Sequence, residues 1–299
     1  MEQAPPLHLC GWVDDPNRHA VARTLPFRTL AQANPNLRAS GNDIFLYKAW
    51  KDALGSYPSY VAQQIGDCTS FGSGHAVDLL QCIEMVIGKE PIVYKETCTE
   101  AIYGLGRKVG GMLGSYSDGC YGVAVAKALT DYGAVPRELV GSYSGDRAKK
   151  WGYSGVPDDI VKHAADFKLG AATLVTTLDM LDAALENLYP AAGGFSQGFE
   201  MTRNADGVCR QSGSWGHEQA CVGKRTKNGR RQYLLVQSWG DQLPSGPLSD
   251  DQPSWSFWID ESSMASILSQ NDFLTFAKFP GFERREPPAS WTYADASLI

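Results

Sequence analysis

A cysteine placed where a helix begins, behind a glycine and a pair of glutamines, can serve as a nucleophile. Gln63-Gln64-Ile65-Gly66-Asp67-Cys68-Thr69-Ser70-Phe71 is such a stretch. The partial positive charge and unpaired N–H groups of a helix start favour thiolate over thiol, and the thiolate is the attacking species. The same N–H groups, with an amide from Gln63 or Gln64, can hold the oxyanion of an attacked carbonyl. On this stretch alone a buried structural cysteine is an equal reading, because free cysteines are commonly buried.

A thiol nucleophile needs a base, and the chain has five histidines. His75 lies seven residues along the same helix, about 10 Å from Cys68 along its axis, so a packed or surface role is expected there. His8 and His19 fall in an N-terminal arm and His163 in a polar helix, and none of them is expected to act. His217 stands in Ser214-Trp215-Gly216-His217-Glu218-Gln219-Ala220-Cys221-Val222-Gly223, where a strand-like run begins. A second run, Tyr233-Leu234-Leu235-Val236, closes on Gln237-Ser238-Trp239-Gly240. A hairpin between the two runs makes His217 and Gln237 neighbours. The amide can then orient the imidazole, and Trp239 can keep water from that bond. Taken alone, Gln237 to Gly240 also reads as a plain strand-ending turn.

The elements that must carry these residues fall in two groups. From Cys68 to about Gly88, Phe71, Leu79, Leu80, Ile83, Val86 and Ile87 form a stripe at helical spacing, with Gly66-Asp67 before it and Gly88 after it. Further helices are predicted over about 123–132, 157–167 and 177–188. Short apolar or alternating runs then follow at 191–199, 218–224, 232–237, 254–259 and 273–279. Asn228-Gly229 between two of them is a strong hairpin signal. Helices first and antiparallel strands second make an α+β protein. Residues 1–43, rich in Pro, Asn and Arg, are expected to form an extended arm. Residues 44–280 carry the chemistry, and 281–299 form a tail.

Composition removes several classes. The 299 residues are 43% hydrophobic and 20% charged, enough apolar content for a sizeable core. With 27 basic against 33 acidic residues, a nucleic-acid or anionic-membrane binder is not expected. No apolar run reaches the roughly 18 residues that span a bilayer. The start, Met-Glu-Gln-Ala-Pro-Pro, lacks the features of a leader peptide. Seven cysteines at scattered spacing (Cys10, Cys68, Cys82, Cys98, Cys120, Cys209 and Cys221) read as reduced thiols, hence a cytoplasmic location. Without a C-x-x-C pair, no structural zinc is expected, and no other metal or cofactor either.

From about residue 55 to 280 the chain resembles the papain-like cysteine peptidases. Their nucleophile opens a long helix after a Gln-rich turn containing Gly. Their histidine follows about 130–150 residues later, and here His217 follows Cys68 by 149. The family's Asn-Ser-Trp-Gly corresponds to Gln237-Ser238-Trp239-Gly240, and its substrate-pairing Gly-Cys-x-Gly-Gly loop to Gly119-Cys120-Tyr121-Gly122. The form of the first motif is most similar to a distant bacterial or bacteriophage branch.

That resemblance implies a cysteine hydrolase, in the first place a peptidase. Cys68 would attack, His217 would move the proton, Gln237 would orient the imidazole, and Gln63 would serve the oxyanion. Tyr121, Gly122, Trp215 and Trp239 would lie beside a peptide or protein substrate. The chain also departs from the family. Gln replaces Asn at 237; Ala62 stands at the family's oxyanion position, so Gln63 fits through a one-residue deletion; Thr69 stands where Trp is usual; and Cys120 lacks its family disulfide partner, since Ile65 stands there. No recognisable inhibitory pro-segment is expected in the first 43 residues. These departures keep two rivals open. One is an amidase or acyltransferase using the same acyl-enzyme. The other is a weak or inactive fold serving as a binding or structural part of a larger assembly such as a virion.

Overall fold

The computed structural model describes residues 4–25, 27–88 and 91–292. The arm carries two short helices, α1 (Pro16–Thr24) and α2 (Leu30–Ala33), and α3 (Lys48–Leu54) follows it. The helical half continues with α4 (Cys68–Ile87), α5 (Thr99–Val109), α6 (Gly122–Asp131), α7 (Gly145–Ser154) and α8 (Asp158–Val161). Strand β1 (Ala171–Leu174) and helix α9 (Leu178–Glu186) lead into β2 (Ala191–Phe199), β3 (Gln211–Lys227), β4 (Arg230–Val236) and β5 (Ser256–Asp260). Helix α10 (Glu261–Leu268) and β6 (Phe273–Ala277) complete the fold. The strands form one antiparallel sheet in the order β1-β6-β2-β3-β4-β5. This is the α+β division expected of the chain. No helix among the described residues is long and apolar enough to cross a membrane.

Two local features bring the halves together. The first is α4, buried without interruption from Cys68 to Glu84. A helix apolar on most faces can be buried on all of them. Gly72, one turn into it, faces β3. A Cβ there would stand 2.8 Å from the Glu218 side chain and 3.0 Å from its backbone carbon. The missing side chain lets the helix start approach the strand that carries the histidine.

The second feature is the β3–β4 hairpin. Asn228 and Gly229 both have positive φ, +52° and +71°, as a tight two-residue turn of this hand requires. The turn pairs Lys227 with Arg230, and a register shift between Gly223 and Cys221 then brings Ala220 opposite Val236. Strand β3 is longer than the sequence suggests. It begins at Gln211 and pairs with β2 through two register shifts, so His217 sits inside the strand opposite Phe195.

The arm is less extended than expected. Asp15 caps α1 by accepting from the Arg18 N–H, and Thr29 with Gln32 forms a capping box at α2. Between the start of the described chain and α1, residues 9–13 run between α4 and the sheet.

Candidate active site

Cys68 opens α4 and is fully buried. Its Sγ accepts the backbone N–H of Gly11 at 3.2 Å, and its own S–H points to the Gly216 carbonyl at 4.0 Å. Burial pushes its thiol well above the ordinary value, against the pull of N–H bonds from Gly11 and Glu218. This corrects the sequence-based expectation of a thiolate. The helix start is present, but full burial leaves no water to solvate the charge.

His217, also fully buried, places Nε2 2.6 Å from Gln237 Oε1. The same oxygen accepts the Ser238 N–H at 3.2 Å, which fixes which end of the amide faces the ring. Nε2 therefore carries the imidazole proton, and Nδ1 is left with a lone pair and no partner. Burial lowers His217 to about 3, with the Gln237 bond opposing. Trp239 covers the imidazole, its ring centroid 4.5 Å away. In this arrangement thiol and imidazole are both neutral.

Gln63 and Gln64 part company. The Gln63 carboxamide is locked by Ser238 Oγ, which donates to its Oε1 at 2.5 Å, and its Nε2 donates to the carbonyls of Leu9 at 2.6 Å and Ile65 at 2.8 Å. Gln64 Oε1 instead accepts from the Gly145 N–H at the head of α7.

The arm thus lies across the nucleophile. Its Leu9 carbonyl takes the Gln63 amide and its Gly11 N–H takes the sulfur. Trp12 N–H donates to Gly216 O at 3.0 Å, Gly11 O accepts from Cys120 N–H at 2.9 Å, and Val13 N–H donates to Cys120 O at 3.1 Å. Backbone on both sides of the cleft is paired with backbone of the arm. Residues 9–13 make these contacts mostly through the main chain.

The expected rim residues lie under this cover. Tyr121 and Gly122 sit at the start of α6, with the Tyr121 hydroxyl donating to Asp15 and the Gly122 N–H to Asp272. Trp215 is buried edge-on to Trp239. Sequence reasoning did not single out Leu9, Gly11, Trp12, Glu218 or Asp272. Their signals were weak: an apolar run within a polar arm, and acidic residues next to or within strand-like runs. Among the described residues no group of three or more His, Cys, Asp or Glu is placed to hold a metal ion.

His75 is packed, not exposed. Its ring lies in a cage of Tyr60, Trp255 and Phe71, at centroid distances of 4.2, 5.5 and 6.1 Å. Both ring nitrogens lack partners, and burial, then the nearby His217, lowers it to about 3. Its folded pKa lies below its unfolded value near 6.5, so the stability it permits is present above pH 6.5 and is lost as pH falls towards 3. His75→Phe should keep the cage and remove this loss. In urea unfolding between pH 7 and 4, the stability of His75→Phe relative to the parent should rise as pH falls, by up to about 1.4 kcal/mol per pH unit. A pH-independent difference would contradict a neutral buried His75.

No family model and no curated protein sequence matches the chain. Solved structures do. The chain is similar to xylellain, a cysteine protease from Xylella fastidiosa, with a TM-score of 0.58 at 16% identity over 93% of this chain and 94% of that one. It is also similar to procathepsin L 3 of the Tenebrio molitor larval midgut, with a TM-score of 0.54 at 16% identity over 87% and 79%. A third match is procathepsin B S9 from Trypanosoma congolense, with a TM-score of 0.58 at 11% identity over 91% and 87%. The fold is papain-like.

Proposed function

We propose, with the papain-like fold as premise, that the chain is a cysteine peptidase held latent by its own arm. Cys68 Sγ attacks a peptide carbonyl carbon, and His217 Nδ1 receives the thiol proton and passes it to the departing amine. Water then attacks the acyl-enzyme, giving up a proton through the same imidazole and freeing the thiol. Gln63 Nε2 and the Cys68 N–H, unpaired at a helix start, hold the oxyanion. Gln237 positions the imidazole without touching substrate.

One observation carries this reading. A stretch of the chain's own backbone lies where a substrate would lie, its Leu9 carbonyl on the Gln63 amide and its Gly11 N–H on the Cys68 sulfur. A cleft that binds main chain on both walls is suited to a peptide.

The test uses the full chain carrying Trp12→Ala, which loosens the arm, incubated with an unfolded protein mixture. New peptide termini should accumulate, and Cys68→Ser in the same background should abolish them. Absence of new termini, together with failure of a peptidyl epoxide to modify Cys68, would overturn the proposal. Transfer of the acyl group to an added amine in place of water would identify the acyltransferase rival. The binding-protein reading draws support from the covered, neutral Cys68. It predicts that Cys68 stays unreactive with the arm loosened.

A further inference from the structure

Two buried side-chain amides beside the imidazole each have one end unmet, and the two unmet ends are complementary. Gln237 Oε1 accepts from His217 Nε2 at 2.6 Å and from the Ser238 N–H at 3.2 Å. Its Nε2 is buried and finds no acceptor among the described residues. Gln219, fully buried in β3, donates from its Nε2 to the Val236 carbonyl at 3.3 Å. Its Oε1 is buried and finds no donor among the described residues. One amide thus keeps a spare donor and the other a spare acceptor.

The strands bring these two amides to one face. Ala220 lies opposite Val236. The same antiparallel register, continued by one residue, sets Gln219 across from Gln237, and the bond from Gln219 to the Val236 carbonyl holds β3 to the end of β4 at this level. Residues that oppose each other across antiparallel strands share a face of the sheet, with Cβ atoms about 4.5–5.5 Å apart. His217 and Gln219 pair with Phe195 and Gly193 of β2 with no register shift between them, so they share a face as well. An amide carries its oxygen and its nitrogen on diverging bonds. With Oε1 of Gln237 on the imidazole, its Nε2 is turned to another neighbour.

We infer that Gln219 is a positioning residue of the site, its Oε1 accepting from Gln237 Nε2 so that Val236 O, Gln219, Gln237 and His217 Nε2 form one relay. The inference rests on the peptidase reading and adds to it a residue that acts only through Gln237. A modest turn of either carboxamide closes the bond, and the long contact of Gln219 with Val236 leaves room for it. Buried donors and acceptors are costly when unmet, and here one bond satisfies two of them. A glutamine has one more free torsion than an asparagine, so an amide held by its oxygen alone can still swing. Anchoring the nitrogen removes that freedom. It keeps Oε1 on the imidazole N–H and leaves Nδ1 free for the thiol proton. Each amide in such a chain also polarises the next, which makes Oε1 a better acceptor.

Gln219→Met tests the relay, because it keeps the length of the side chain and removes both polar ends. In the parent chain with nitrogen-15 histidine, His217 should show one ring nitrogen of protonated type and one of lone-pair type at neutral pH. In Gln219→Met the two signals should move towards each other as the tautomers mix. In the Trp12→Ala background, Gln219→Met should lower kcat for peptide cleavage about tenfold with KM nearly unchanged, and with Gln237→Ala also present it should cost nothing further. Ring nitrogens unmoved by Gln219→Met, or a loss that persists in full without the 237 amide, would overturn the inference. Should Gln219→Met fail to fold, the parent chain decides: scalar coupling across the bond, from Gln237 Nε2 to Gln219 Cδ, upholds the inference and its absence overturns it. Mixed tautomers in Gln219→Met without cleavage by any variant would uphold the relay and remove the peptidase reading. Cleavage with kcat unmoved by Gln219→Met would do the reverse.

Discussion

The 299-residue chain carrying Trp12→Ala should alkylate at Cys68 about a hundredfold faster than the parent at pH 7.5. Cys68 is fully buried in the parent, so iodoacetamide reaches it only while the arm is lifted. Trp12 is the arm's main side-chain anchor, with its ring buried and its N–H on Asp272. Truncating a buried Trp costs about 3–5 kcal/mol. Here most of that loss falls on the closed state, and about 2.7 kcal/mol of it suffices for a hundredfold larger open population. Gly194→Ala should act in the same direction from the opposite wall, because its methyl group would overlap the indole. Site-resolved mass spectrometry can follow all seven cysteines; Cys82, Cys98, Cys209 and Cys221 should keep their parent rates, whereas Cys10, within the arm, and Cys120, paired with it, are left out of the comparison. Unchanged labelling of Cys68 in both variants would mean that Trp12 does not hold the arm closed.

The second large effect concerns the imidazole. In the loosened background, His217→Ala should lower kcat for peptide hydrolysis by about 10³-fold or more, since it removes the imidazole to which the proposed mechanism gives the thiol proton. Gln237→Ala should cost about a hundredfold in kcat with KM nearly unchanged. The 237 amide contacts the imidazole and the Ser238 N–H, and it keeps the proton on Nε2. Without that acceptor the ring can turn or exchange tautomers, and Nδ1 is no longer reliably free. Gln237→Asn should recover to within about tenfold of the parent, its shorter arm requiring a small shift of the ring. If Gln237→Ala alters KM and leaves kcat alone, the residue belongs to substrate binding and not to positioning.

Much of the site could be read from local pattern. Asn228-Gly229 announces a tight hairpin, and the hairpin brings the end of β4 to the part of β3 that carries His217, with a register shift at Cys221 to Gly223 that the sequence does not announce. The start of α4 is equally local, because a glycine turn and an unbroken apolar stripe mark it. Other elements were hidden by their packing. Helix α5 contains Gly104 and Gly106, which weaken a helical reading. Both are needed for contact, since a Cβ at 104 would stand 2.7 Å from Val156 and one at 106 would stand 2.7 Å from Val125. Strand β3 was read short because its first residues pair through register shifts that no alternation reveals. The state of Cys68 was beyond local reading altogether. A helix start favours the thiolate, whereas full burial of Cys68 pushes its thiol upward and outweighs that pull. That cover is built from contacts between residues 54 to 260 positions apart, and nothing in the arm's own sequence names its partners.

That separation also sets an order of events as the chain is made. Trp12 emerges from the ribosome long before Asp272, 260 residues later, and at typical elongation rates the interval is roughly 10–50 s. Throughout it the arm has no floor to rest on and the partners of Cys68 are incomplete. Contacts of such long range carry a high loop-closure cost and form late. The cover therefore belongs to the end of folding, after the sheet is assembled. A newly made molecule passes through a short-lived state in which α4 and the sheet have met and the arm is still free.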